Sequence, residues 1–510
     1  MSDASAPQQL SLVEERFELW RHRSGLIAGP LAALVVYLLT PELPLAERRL
    51  AAILVFVGFY WISEAIPLPV TALLGPALCA LTGVAESDRI FRPFADTIIF
   101  VFLGSFLLAR AMAVNGLDRR VALGVLSARW VGGLPGRIRL AVGAAAFLIS
   151  MWISNTATVA MLFPIVVGLG AALERLFDAA GAEAGRAGRG YVTGLLLMTA
   201  YAASIGGMAT PVGTPPNLIG IGMMRDLAGV RVPFFQWVLL GLPVALVMFA
   251  VLALLLGRLH PAPVQRLQGL GDTLAAWRRE LPEWGRAQTV TLAAFLTAVA
   301  LWVTPGALAV ARGADDALYR AASGLLNEGV VAVLAASLLF VIPVRGRPLG
   351  GALGWRDAVK IDWGTILLFG GGLSLGSLMY STGLAERLAR ALLGGGPEVG
   401  LWTLTAAATA FAIVISETTS NTASASMAVP VVIAVAQAAG VSPLPPALGA
   451  TLGASLGFML PVSTPPNAIV YGSGRVSILA MLRAGLLLDL LGFVVLLALL
   501  RWLGPLLGLV

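Results

Sequence analysis

The sequence predicts an all-α polytopic membrane protein with about 11 transmembrane helices plus two re-entrant hairpins, arranged as an inverted repeat. Three observations lead there. The 510 residues are 58% hydrophobic and only 12% charged, with a mean hydropathy of +0.88, against about 25% charge in a soluble domain. Apolar runs of about 20 residues recur along the whole chain, the length that crosses a bilayer as a helix. Two of these runs carry the same cluster of small polar residues, Ser154-Asn155-Thr156 and Ser420-Asn421-Thr422, where a lipid-facing helix would carry Leu or Val. A large soluble enzyme with buried helices does not account for these runs.

The net charge of +7 does not point to nucleic acid. The basic residues lie in short loops, as membrane orientation requires, so the expected surroundings are a lipid bilayer. Lys360 is the single lysine, and Cys79, the single cysteine, sits in an apolar run. That excludes a disulfide framework and a thiolate metal site. His22 and His260 lie in polar flanks and make no transition-metal site. Short loops without an Asn-x-Ser/Thr acceptor point to a prokaryotic inner membrane. No small-residue cleavage site follows the apolar run 26–39, so it reads as a retained first span.

Residues 1–24 form a cytoplasmic tail, with an amphipathic surface helix over Leu10–Arg21 or, as the alternative, disorder. The first spans lie at about 25–41, 50–66, 69–85 and 96–114. Pro67 and Pro69 stop the second and start the third. A loop then holds Arg119, Arg120, Arg129, Arg137 and Arg139, a cytoplasmic marker. Four spans from a cytoplasmic N-terminus return the chain to that side. Residues 140–170 carry no charge but hold Ser154-Asn155-Thr156 in the middle. Their length suits a hairpin that dips to mid-membrane, with a polar loop over 171–190; a plain span is the alternative. Residues 191–224 are interrupted by Gly206-Gly207 and Thr210 to Asn217, the pattern of a broken transporter helix. A span at 234–257 and a basic cytoplasmic linker at 258–287 complete the half 25–257.

The half 288–510 repeats the plan, with spans at about 288–304, 325–343 and 363–380. Arg345, Arg347, Arg356 and Lys360 mark a cytoplasmic loop. A hairpin and broken helix follow over 397–473, and a final span at 478–502 leaves the C-terminus outside. Asn115-Gly116-Leu117 aligns with Thr382-Gly383-Leu384 at an offset of 267 residues, the Ser-Asn-Thr copies at 266 and the Pro-Pro-Asn copies at 250. The loop counts give the halves opposite orientation. An inverted repeat with discontinuous helices signals a secondary transporter, with substrate held at the repeat interface.

Four of the six asparagines are the paired motif residues Asn155, Asn217, Asn421 and Asn467. An unpaired amide in hydrocarbon costs on the order of a few kcal/mol, so four placed by symmetry need a reason. One reason is a ligand site; the other is that they cap half-helices and hold the tips. The tips supply hydroxyls, amides, helix N-termini and free carbonyls, without Lys or Arg. Helix N-termini attract anions, and carbonyls at unwound backbone suit a hard cation such as Na⁺. Ser150 and Ser416 lie four residues before Ser154 and Ser420, on one helical face, where they complete a cation shell or bond back to their own helix. Glu417, matched by Met151, is an ionisable group at membrane depth; the alternative places it in an external vestibule near a helix start.

With Met-Trp-Ile-Ser-Asn-Thr-Ala-Thr at 151–158, Thr-Ser-Asn-Thr-Ala at 419–423, Glu-Ala-Ile-Pro-Leu-Pro-Val-Thr at 64–71 and Gly-Thr-Pro-Pro-Asn at 213–217, the chain resembles the divalent anion/sodium symporters, permeases of dicarboxylates, citrate and sulfate. The resemblance covers about residues 25–505. It implies a homodimer and an elevator-type mechanism, in which scaffold spans 25–114 and 288–380 hold the dimer while the hairpins and broken helices of 133–224 and 397–473 move. Carried over by position, Ser150, Ser154, Asn155 and Gly213 line one Na⁺ site, and Ser416, Ser420, Asn421 and Ser463 a second. Asn155, Thr156, Thr214, Ser420, Asn421, Thr422 and Pro465 contact the anion. The second site departs mildly from the family, with Ser416 and Ser463 where a threonine or small residue is usual. The resemblance implies Na⁺-coupled symport of a small C4-dicarboxylate such as succinate, malate or fumarate. Citrate or sulfate symport, or exchange without Na⁺, is the alternative. An anion channel is disfavoured by two dead-end hairpins, and a hydrolase by the lack of a His or Asp pair near a candidate serine. No organic cofactor is expected.

Overall fold

A computed structural model describes residues 12–179, 181–264, 279, 281, 283–313, 315–344, 350–393 and 399–509. Among these the protein is built from helices and turns, without strands. The first eleven residues of the expected tail, most of the linker with Arg266 and Arg278, and Arg345, Arg347 and Glu398 lie outside the described residues.

The first half contains α1 (Leu12–Leu39), α2 (Leu45–Ser63), α3 (Leu68–Leu81), α4 (Ser87–Phe91), α5 (Thr97–Val114), α6 (Leu117–Leu126), α7 (Pro135–Ser150), α8 (Asn155–Ala179), α9 (Ala182–Gly207), α10 (Pro215–Ala228) and α11 (Phe234–Leu259). The second contains α12 (Arg286–Arg312), α13 (Ala317–Leu325), α14 (Glu328–Val341), α15 (Trp355–Ala358), α16 (Trp363–Thr382), α17 (Leu384–Leu393), α18 (Leu401–Thr418), α19 (Asn421–Ala438), α20 (Leu444–Gly453), α21 (Pro465–Tyr471) and α22 (Ile478–Leu506). Among the described residues nine helices are long and apolar enough to cross a membrane, or ten if α13 and α14, bent by 61°, count as one span. The reading of about eleven instead counted α2, α3 and the two broken helices over 191–224 and 444–473, and placed α8, α18 and α19 in the hairpins. The protein is an all-α, multi-pass membrane protein.

Matched residues start and stop matched helices. Asp96 Oδ1 accepts the Ile98 N–H at 2.8 Å to cap α5, and Asp362 Oδ1 accepts the Thr365 N–H at 3.1 Å to cap α16. Gly116 (φ 64°) and Gly383 (φ 90°) end the same two helices in the left-handed region that favours glycine. Each glycine leads into a ten-residue amphipathic helix, α6 or α17. Gly104 and Gly371 allow close crossings: a Cβ on them would stand 2.5 Å from Ala332 O in α14 and 2.2 Å from Ala72 O in α3.

Three sequence expectations are corrected. The surface helix over Leu10–Arg21 is not separate; α1 runs unbroken from Leu12 into the first span. The arginine-rich loop after residue 116 begins as α6, whose buried Leu117, Ala122, Leu123 and Leu126 share one face while the arginines take the other. The polar loop 171–190 is helical on both sides of a short turn, with α8 reaching Ala179 and α9 starting at Ala182. Two of its glycines mark close packing instead: a Cβ on Gly188 would stand 2.5 Å from Phe177 Cδ2, and one on Gly185 2.1 Å from Asp178 Oδ1.

Both apolar runs that hold Ser-Asn-Thr break where expected, α7 and α8 at 151–154 and α18 and α19 at 419–420. Both long helices that follow break again, α9 and α10 at 208–214 and α20 and α21 at 454–464. The halves interlock there. α10 packs against α19 and α20 of the second half, and α21 packs against α8 and α9 of the first.

Candidate functional site

In each half a hairpin tip meets the break in the long helix, and the same bonds hold both junctions. Ser150 Oγ donates to Asn155 Oδ1 at 2.7 Å, and Ser416 Oγ approaches Asn421 Oδ1 at 2.8 Å and Ala454 O at 2.7 Å. Neither serine bonds back to a carbonyl of its own helix. Asn217 Nδ2 donates to Gly207 O (3.0 Å) and Thr210 O (2.8 Å). Asn467 Nδ2 donates to Gly457 O (3.1 Å) and Leu460 O (3.0 Å). These two amides therefore hold the unwound segments 208–214 and 454–464.

The breaks are lined by oxygen and kept open by glycine. A Cβ on Gly213 would stand 2.6 Å from Gly207 O and 2.9 Å from Ser150 O. On Gly207 it would stand 2.4 Å from Asn155 Oδ1, and on Gly457 3.2 Å from both Asn421 Oδ1 and Ser416 Oγ. The first junction thus gathers Ser150, Asn155, Gly207, Gly213 and Thr214, and the second Ser416, Asn421, Gly457 and Ser463. Asn217 Oδ1 and Asn467 Oδ1 are buried without a donor. Oxygen-only ligands with orphaned acceptors fit a hard cation and not a soft metal.

Other expected site residues stand at the open side of each junction. Ser154 Oγ accepts the Ala157 N–H at 3.3 Å and Ser420 Oγ the Ala423 N–H at 3.2 Å, so both serines also cap their helices. Thr156 and Thr422 occupy the second residue of α8 and α19; Thr156 is exposed and Thr422 half-buried. Thr214 is buried and precedes α10, and Pro465 is exposed at the start of α21. Buried oxygens thus lie beneath a rim of accessible polar groups. Glu417 does not face a vestibule near a helix start. It leaves the last turn of α18, is 3% exposed, and accepts from Ser463 Oγ at 2.6 Å and Met459 N–H at 3.0 Å.

Residues 22–510 match the family described as the sodium:sulfate symporter transmembrane region. The chain belongs to this family. Its members are transporters, so the protein is a membrane transporter and not an enzyme, as the resemblance to the divalent anion/sodium symporters implied. The sodium-dependent dicarboxylate transporter SdcS of Staphylococcus saprophyticus is 32% identical over 488 residues, covering 94% of this chain and 91% of that protein. The SdcS of Staphylococcus aureus strain USA300 is 32% identical over 492 residues with the same shares. The crystal structure of the Alcanivorax borkumensis YdaH transporter is similar at a TM-score of 0.49 and 14% identity, over 90% of this chain and 98% of that one; a likeness that remote transfers no topology.

Two features of this symporter-family site escaped the sequence reading. Thr158 and Ser424, one turn into α8 and α19, are buried hydroxyls without a partner. Their shared offset of 266 residues, the same as that of the tips, was the available signal. The second is Asp489 of α22, buried beside Glu417. Nothing in the repeat marks it: with Gly241 of α11 matched to Gly485 of α22, its counterpart is Ala245.

Proposed function

We propose that this transporter is a secondary active, Na⁺-coupled symporter of C4-dicarboxylates. The observation that carries the reading is the duplicated junction: a serine hydroxyl on an asparagine amide oxygen, over a glycine-lined turn of free carbonyls, once per half. Two such clusters suit two Na⁺ ions, held by Ser150, Ser154, Asn155 and Gly213 and by Ser416, Ser420, Asn421 and Ser463. The anion then lies between them, against Asn155, Thr156, Thr214, Ser420, Asn421, Thr422 and Pro465. Asn155 and Asn421 serve both: each oxygen faces its serine, and each Nδ2 remains to donate to a carboxylate. Cations bound first neutralise the anion's charge, which couples the two affinities. The names of the Staphylococcus relatives support the dicarboxylate and the Na⁺.

In this reading the spans of 25–114 and 288–380 form a homodimeric scaffold. The segments 133–224 and 397–473 move across it as an elevator in a bacterial cell membrane, the N-terminus cytoplasmic and the C-terminus outside. The interlocking of α10 with α19 and α20, and of α21 with α8 and α9, supports a single moving body. The test is uptake of labelled succinate into proteoliposomes with and without an inward Na⁺ gradient. Accumulation driven by Na⁺ is the expected result. Uptake that ignores Na⁺ but needs internal dicarboxylate means exchange. Sulfate accumulation without dicarboxylate uptake moves the substrate to the anion in the family's description.

A further inference from the structure

Arg225 and Arg475 each stand ten residues after the first proline of a Pro-Pro-Asn motif, Pro215 or Pro465. They are therefore matched by the motifs' own offset of 250 residues. Asp96 and Asp362, which cap α5 and α16, are matched at 266 residues, the offset of the Ser-Asn-Thr tips. The repeat thus carries one arginine–aspartate set twice, and the two copies are in different states.

In the first half the set is closed. Arg225, in the last turn of α10, donates from Nη2 to Asp96 Oδ2 at 2.5 Å and from Nη1 to Thr97 Oγ1 at 2.9 Å, while its Nε donates to Asp226 Oδ1 at 2.6 Å. α10 comes close to α5 here: a Cβ on Gly222 would stand 3.0 Å from Ile98 Cδ1. In the second half the set is open. Arg475 Nη1 donates to Glu174 Oε2 of α8 at 3.0 Å, and the Arg475 carbonyl accepts the Thr193 hydroxyl of α9 at 2.8 Å. The Asp362 carboxylate accepts from Thr365 instead, its N–H at 3.1 Å and its hydroxyl at 2.6 Å, and among the described residues no basic side chain pairs with it. Each arginine thus has a near acid on the helices of the hairpins and broken helices, Asp226 or Glu174. Each also has a far acid at the start of a scaffold span. The repeat keeps the arginines and the far acids but not the near ones, whose matched places hold Val476 and Gly440.

We propose that the two sets are alternative latches: Arg225–Asp96 holds the protein in the state seen here, and Arg475–Asp362 holds it in the opposite one. The latches rest on the reading of 133–224 and 397–473 as a body that moves across the spans of 25–114 and 288–380. Inverted repeats are related by a two-fold axis in the membrane plane. That axis exchanges the halves and reverses any displacement along the membrane normal. A displacement that closes the first pair and opens the second is therefore mirrored by one that opens the first and closes the second. Asp226 and Glu174 keep each guanidinium paired while its latch is open, so neither charge is left bare at the edge of the bilayer.

Cross-linking of the full-length protein in membranes tests this, in a Cys79→Ala background that removes the single native thiol. Asp96→Cys/Arg225→Cys and Asp362→Cys/Arg475→Cys are each treated with Hg²⁺ as a short thiol bridge. Both pairs are expected to link, the second as the body exchanges states. Linking the first should abolish uptake of labelled succinate, or of sulfate if that is the anion carried, and excess thiol should restore it. Uptake that survives the link means that α10 does not leave α5; the moving-body reading then fails and the latches with it. A first link that blocks uptake, beside a second pair that never links, overturns the latches alone. Asp96→Asn gives a readout that a purely local bond would not move. Asparagine still caps α5 but gives up the ion pair, so the second pair should link about fivefold faster. Arg225→Gln should do the same, which keeps the test usable if one variant fails to fold. A linking rate unchanged in both folded variants overturns the proposal.

Discussion

Gly207→Ala and Gly457→Ala are matched perturbations of the two clusters with unequal expected cost. The new methyl stands 2.4 Å from Asn155 Oδ1 in the first half and 3.2 Å from Asn421 Oδ1 in the second, where ordinary contact begins at 3.4 Å. The first amide must retreat by about 1 Å and the second by about 0.2 Å. A 1 Å retreat breaks the 2.7 Å bond from Ser150 Oγ, worth about 0.5–1.5 kcal/mol, and overpacking costs about 1–3 kcal/mol more. If about 2 kcal/mol of this falls on the cation-binding arrangement, apparent Na⁺ affinity drops about 30-fold in Gly207→Ala. In Gly457→Ala a few tenths of a kcal/mol give less than about threefold. The assay is the Na⁺ dependence of succinate uptake into proteoliposomes, with thermal unfolding in Na⁺-free buffer to confirm that both variants fold. Equal shifts in the two variants, or a larger one in Gly457→Ala, would refute the reasoning, because the asymmetry follows from these distances.

Asn155→Ala and Asn421→Ala should each abolish succinate uptake while the protein still elutes as a folded species; near-normal transport by either would mean that the tips do not share one site. Asn217→Ala and Asn467→Ala each remove two bonds to buried carbonyls, at about 1–3 kcal/mol. Their melting temperatures should fall by similar amounts, and a large difference would deny the equivalence of the two breaks. Burial holds the His260 imidazole below its ordinary value of 6.5, while its Nδ1 lies 2.9 Å from Gly190 O. The fold therefore favours neutral His260. That stability is full above about pH 6.5 and is lost as pH falls from there toward the lower folded value. Thermal melts across this window should show the loss in the wild type and not in His260→Gln.

What was legible in the sequence was what the bilayer makes expensive. Polar clusters in apolar runs and prolines after them could not be incidental, so the tips and breaks fall where read. Asp96 with Asp362 and Gly116 with Gly383 show that the repeat extends to helix caps. The failures share a cause. Gly185 and Gly188 read as a loop because glycine has two uses, a turn or a close approach, and only the neighbouring helix decides between them. α6 was hidden by its arginines, because the rule that assigns them to a membrane side says nothing of helix or loop. Asp489 was invisible because its meaning lies in Glu417, 72 residues earlier in the chain and brought to it by the Gly485 crossing.

The two halves share a frame but not a charge, and that difference bears on how the proposed site fills. In the first half the Thr210 hydroxyl bonds Met151 O, and Met151 stands where the second half has Glu417. In the second, the Ser463 hydroxyl lies 3.1 Å from the matching carbonyl, Glu417 O, and 2.6 Å from the Glu417 carboxylate. Glu417 and Asp489 put two buried carboxyls on that wall, in a medium that screens poorly. In the proposed symport, a cation would be held more tightly at the second cluster than at the first, and the second cluster would fill before the anion arrives. The first, built from neutral dipoles, depends more on the anion's own charge to retain its ion. In that reading symmetric tips make one shared site, and the unmatched acids give its two ends an order.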